Sequence, residues 1–168
     1  MQRRSLLKLG FLGAAVLAVA GGGLALIRPG LDGGRLGAVG RDVFGAIARA
    51  VLDGLLPVDT AARDATLVAH LQRLDATLSG LPAATRAELS QLLALLGSAA
   101  GRRAVAGLAS DWPAAGVAEL QSALQSMRTS RLELRQQAYH ALRDLTNAAY
   151  FAGPRTWTSI GYPGPKLP

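Results

Sequence analysis

Cysteine is absent from the 168 residues, so no disulfide, thiolate cluster or covalently attached haem is available and packing alone must stabilise the fold. Aromatic residues are scarce, at 5%. Histidine occurs twice, at His70 and His140, too few for a histidine-rich metal centre. No Gly-rich loop follows a strand, as a dinucleotide fold requires, and no Gly-x-Ser-x-Gly elbow marks a serine hydrolase. No basic run with interleaved aromatics occurs, which excludes the footprint expected of a nucleic-acid binder. Runs of alternating β-branched residues are also missing, and with them the pattern of a sheet protein. What remains is a chain that is 50% apolar, long enough for one domain with a core.

Charge is placed unevenly at the start. Arg3 and Arg4 stand side by side in Gln2-Arg3-Arg4-Ser5-Leu6-Leu7-Lys8, ahead of an uncharged run over residues 9–27. This looks like a bacterial twin-arginine export signal: a paired arginine, Leu6 at the hydrophobic position two places on, and Lys8 closing the motif. Gln2 stands where the motif usually has Ser or Thr. Ala18-Val19-Ala20 offers a small-x-small cleavage pattern, with cutting expected after Ala20. An uncleaved anchor is the alternative, because nineteen residues at about 1.5 Å each nearly cross a hydrocarbon layer of roughly 30 Å. Against the anchor, Gly21-Gly22-Gly23 weakens a helix by about 1 kcal/mol per Gly relative to Ala. The net charge of +7 shrinks without the signal: the 18 basic residues less Arg3, Arg4 and Lys8 leave 15 against 11 acidic. The absence of cysteine fits an oxidising periplasm.

Behind the signal, residues 28–38 are dense in Gly and Pro and are expected to form a flexible linker. Helical periodicity then runs over residues 39–152. Val43, Phe44, Ile47, Ala50, Val51 and Leu55 predict a first amphipathic helix ending at Pro57. Asp59 or Thr60 can cap a second, with Leu67, Val68, Leu71, Leu74 and Leu78 on one stripe and Gly80 as the stop. Pro82 opens a third, carrying Leu89, Leu92, Leu93, Leu95 and Leu96, which should break over residues 98–101. Val117, Leu120, Leu124 and Met127 mark a fourth. Ser130 can cap a fifth, running from Leu134 through Ala138, Ala141, Leu142, Leu145 and Ala149 to Phe151. The expected fold is an all-α bundle of four to six helices with an irregular tail over residues 153–168.

Candidate chemistry is thin. His70 and His140 on two helices could begin a metal site, but no carboxylate follows His70 at helical spacing, and Asp144 four residues after His140 reads as readily as a surface charge. Gly101-Arg102-Arg103 could bind phosphate, yet more often such a group is a solvated turn. Trp112 is expected in the core. The leucines from 89 to 96 are expected to be core, with partner docking as a second role.

The last eighteen residues, 151–168, hold Phe151, Trp157 and Tyr162, with Tyr150 just before them, and are dense in glycine and proline. Such a segment forms neither helix nor ladder, so its aromatics must bury against the bundle or against a partner to order it. Tyr150, Phe151, Trp157, Tyr162 and Pro163 are the candidate interface residues. Ala149-Tyr150-Phe151, Trp157 and Ile160-Gly161-Tyr162-Pro163-Gly164-Pro165, ending a helical chain with a paired-arginine start, resemble the gluconate 2-dehydrogenase subunit 3 family. The resemblance spans roughly residues 39–165, though Gly153-Pro154-Arg155 stands where many members carry a more polar turn. It implies a small accessory subunit with no catalytic, cofactor or metal residues of its own. The implied partner is a large FAD-bearing dehydrogenase subunit of the glucose-methanol-choline type, with a multi-haem cytochrome c as a further subunit. The small subunit would aid folding of the large one and its export by the twin-arginine translocase to the periplasm. The alternative is a membrane-anchored periplasmic structural or binding protein with no enzyme partner.

Overall fold

A computed structural model describes residues 28–157 and 160–164. Arg3, Arg4, Leu6 and Lys8, expected to form an export signal, and the segment 9–27, expected to be a signal or an anchor, lie outside them. The described residues form an all-α bundle of six helices with one small hairpin. In order these are β1 (Leu31–Asp32), β2 (Arg35–Leu36), α1 (Ala38–Val51), α2 (Thr60–Ser79), α3 (Ala83–Gly97), α4 (Ala99–Gly101), α5 (Val117–Arg128) and α6 (Glu133–Phe151). A π-helical turn, Arg102–Ala106, continues α4, and a 3₁₀ turn, Pro154–Thr156, follows α6.

The hairpin corrects the expectation of a flexible linker over residues 28–38. β1 and β2 pair antiparallel, Leu31 opposite Leu36 and Asp32 opposite Arg35. Gly33 and Gly34 both take positive φ, 55° and 84°, as a two-residue hairpin turn of the right twist demands. Contacts distant in sequence hold it. The Gly30 and Leu31 N–H groups donate to Ser90 O and Ser90 Oγ at 3.3 and 3.1 Å, and Leu36 N–H donates to Asp75 Oδ1 at 2.7 Å. Asp75 Oδ2 also takes a hydrogen bond from Arg41 at 2.7 Å. A Cβ on Gly30 would collide with Leu93 Cβ, so the backbone lies flush on α3 only because no side chain intervenes.

α1 is the central helix, packed against α2, α3, α5 and α6. Its stripe of Val43, Phe44, Ile47 and Ala50 is buried, at the three- and four-residue spacing of one helical face. The helix ends at Val51, before Pro57, because Gly54 turns the chain at φ 82°. Leu55 therefore lies beyond the helix and packs in a small cluster with Ala48, Leu52 and Tyr150. α2 is capped by Asp59, whose carboxylate accepts from Ala62 N–H at 2.8 Å. Its buried face carries Leu74, Leu78 and His70; Val68, expected on that stripe, is 56% exposed.

α3 breaks at Ser98, as residues 98–101 predict, and the Ser98 hydroxyl then caps α4 by accepting from Gly101 N–H at 3.0 Å. Trp112 is core: its indole N–H donates to Leu96 O at 2.8 Å, satisfying a carbonyl that the end of α3 leaves open. Arg102 is buried and pairs with the exposed Asp111 at 2.7 Å, so the Gly101-Arg102-Arg103 segment is a packed turn. α6 begins at Glu133, three residues after Ser130, whose Oγ accepts from Leu132 N–H at 3.1 Å.

Candidate docking surface

α3 and α6 both lie on α1 but scarcely touch each other. Between them runs an open groove of about 580 Å³. Its apolar wall is Leu81, Leu89 and Leu92 on one side and Ala141, Leu145 and Ala148 on the other. Helical spacing explains how the leucines of α3 divide: all four are buried, Leu93 and Leu96 at 0% exposure, while Leu89 and Leu92, at 6% and 8%, are core residues that also form the floor of the groove. The polar lining is Thr85 and Glu88 from α3, and Gln137, His140 and Asp144 from α6. No Lys or Arg is among these residues. Gln137 Nε2 donates to Glu133 Oε1 at 2.8 Å, which fixes the amide orientation and leaves Gln137 Oε1 buried with no donor among the described residues.

The candidate interface residues of the tail divide. Tyr150 is buried, 4% exposed, with its hydroxyl donating to Leu55 O at 3.2 Å and its ring edge-on to Phe151 at 5.1 Å. It belongs to the bundle, which corrects its assignment to a partner surface: the end of α6 turns it onto the last turn of α1. Phe151 and Trp157 are half-buried. Trp157 Nε1 donates to Phe151 O at 2.7 Å, and its indole meets the Tyr162 ring edge-on at 5.5 Å. Thr156 Oγ1 donates to Gly153 O at 2.7 Å and Tyr150 O at 3.0 Å, folding the chain back onto the end of α6. Ile160 and Tyr162 are 52% and 46% exposed, and Pro163 is exposed.

The two histidines are placed far apart in character. His140 is exposed at the groove, edge-on to Tyr139 at 5.2 Å. His70 is fully buried, its ring 6.2 Å from that of Tyr150, and neither ring nitrogen has a partner among the described residues. Burial, and then the neighbouring Arg73 charge, push its pKa down to about 4, so the ring is neutral at physiological pH. Thr146, on the α6 face that packs toward α2, also has a buried hydroxyl without a partner among the described residues. No group of three or more histidine or carboxylate side chains gathers among the described residues as a metal site needs. No helix among them is long and apolar enough to cross a membrane.

The sequence pattern gave the leucines from 89 to 96 docking as a second role but missed the α6 wall of the groove. Ala141 and Leu145 read as core contacts but are half-buried groove walls. The available signal was an apolar stripe on α3 wider than one neighbouring helix can cover. Comparison with protein families, curated proteins and solved structures finds no match for this chain.

Proposed function

We propose that this chain is a non-catalytic small subunit of an exported dehydrogenase, bound to a large FAD-bearing subunit of the glucose-methanol-choline type and accompanying it through the twin-arginine translocase. One observation carries the reading: a paired-arginine start, Arg3-Arg4, on a helical chain that ends in the aromatic and Gly-Pro motif from Ala149 to Pro165. The twin-arginine route moves folded cargo, usually loaded with cofactor, and this sequence has neither cysteine nor a dinucleotide-binding glycine motif; a cofactor-bearing partner gives such a signal its purpose. A multi-haem cytochrome c is the further subunit that would take the electrons. Support also comes from the surface described above, where Ile160, Tyr162 and Pro163 stand exposed beside Trp157, and Trp and Tyr are favoured interface anchors.

Truncation before Gly153 tests the reading. The truncated chain should lose its co-purifying flavoprotein in a pull-down while the full chain retains it; equal recovery of the flavoprotein by both would remove the tail from the interface. A second reading, a membrane-anchored periplasmic structural or binding protein, is favoured by the uncharged length of residues 9–27 and predicts that no flavoprotein is recovered with either.

A further inference from the structure

The groove between α3 and α6 has walls about three helical turns long. Its walls run from Leu81 to Leu92 and from Gln137 to Ala148, roughly 16 Å each at about 1.5 Å per residue, or three turns. Both walls pack on α1, and among the described residues none fills the trough between them. Apolar side chains make most of its surface, and an apolar stripe at three- and four-residue spacing would bury them.

The charge of the trough selects the occupant. In a chain with 18 basic and 11 acidic residues, the groove carries two carboxylates, Glu88 and Asp144, and no Lys or Arg. Asp144 is held only by its exposed neighbour Arg143, at 3.2 Å, a pair of the kind that contributes little. Carboxylates on both walls call for positive charge on the guest.

We propose that this groove seats an amphipathic helix of a partner protein, apolar along one stripe and flanked by lysine or arginine that meet Glu88 and Asp144. The proposal deepens the accessory-subunit reading and rests on it for the identity of the partner. It places a second contact on the bundle, apart from the exposed tail residues Ile160, Tyr162 and Pro163.

Two fluorescein-labelled peptides of about 18 residues, long enough to cover three turns, provide the test. Each has leucine at positions i, i+3, i+4 and i+7; one carries lysine and the other glutamate at its remaining positions. Fluorescence anisotropy with the full chain should show the lysine peptide binding at least about tenfold more tightly. The double variant Glu88→Lys with Asp144→Lys should reverse that preference, and Ala148→Trp, which fills the groove from an exposed position, should weaken both peptides by about tenfold or more. An unchanged preference in the double variant, or no binding of either peptide, overturns the proposal. A dimer of the full chain that Ala148→Trp dissociates overturns it too, since a second copy would then be the occupant. The two readings fail separately. If the lysine peptide binds as described but no flavoprotein co-purifies, the dehydrogenase partner is lost and the groove stands; if the flavoprotein stays bound to the Ala148→Trp chain undiminished, the groove is not its seat.

Discussion

His70 ties the stability of the fold to pH. In the unfolded chain its pKa is near 6.5, while in the bundle burial and Arg73 hold it at about 4. Between those values the unfolded chain binds a proton that the folded chain refuses, so stability falls as pH drops from about 6.5 to about 4 and levels off below. The shift corresponds to about 3 kcal/mol over the whole window, of which about 2 kcal/mol is lost by pH 5. Urea unfolding at pH 7.5 and pH 5 should show this loss in the wild-type chain and a smaller loss, by about 2 kcal/mol, in His70→Leu. An identical pH response in the two would mean that His70 is hydrated or paired in solution. Trp112 works through one hydrogen bond, to Leu96 O at 2.8 Å. Trp112→Phe keeps much of the ring but leaves a buried carbonyl open, and should cost about 1–3 kcal/mol in denaturant unfolding. That Trp112 would be buried was legible from its place in a mid-chain turn; that His70 would be was not. A polar residue within an apolar stripe can face either way until the helix is set against its neighbours, and here α6 covers it.

At the scale of elements, the helices follow from periodicity and punctuation. α2, α5 and the end of α6 lie where their apolar repeats and Gly or capping residues put them, because amphipathic spacing is a local property. The hairpin is different. Residues 28–38 read as a linker because Gly and Pro are what both linkers and tight turns use; the difference lies in Ser90 and Asp75, which sit on α3 and α2 far along the chain. Asp75→Ala removes the acceptor for Leu36 N–H and for Arg41 together. Bonds to a charged acceptor contribute about 1.5–3 kcal/mol, discounted here because Arg41 is 44% exposed. The expected loss is therefore about 1–2 kcal/mol in unfolding free energy. Hydrogen exchange should show the Leu36 amide losing protection while the amides in the centre of α1 keep theirs. Equal loss in both would mean that the hairpin unfolds only with the whole bundle. The α6 wall of the groove was illegible for a similar reason: periodicity shows which residues are apolar, and only the separation of α3 from α6 shows that Ala141, Leu145 and Ala148 are left partly uncovered.

For the whole molecule, the bundle from α1 to α6 is complete without the tail. The tail leans on it through Trp157 and Thr156, while the core residues Phe44, Ile47, Leu93, Leu96, Leu120 and Leu142 belong to helices that end by Phe151. A chain truncated before Gly153 should retain its helical circular dichroism and lose a minor part of its unfolding free energy. Collapse of the helical signal would make the tail a part of the core and defeat its assignment to an interface. The apolar groove and the exposed tail aromatics give the molecule more uncovered apolar surface than its core needs, and a partner subunit would give both a role.

The most direct test of the central claim is to extract the tagged chain gently from its native cell envelope, identify accompanying polypeptides by mass spectrometry and record the visible absorption spectrum. The account predicts a large co-purifying polypeptide with a flavin spectrum. A colourless chain recovered alone would contradict it and leave the anchored structural protein as the reading.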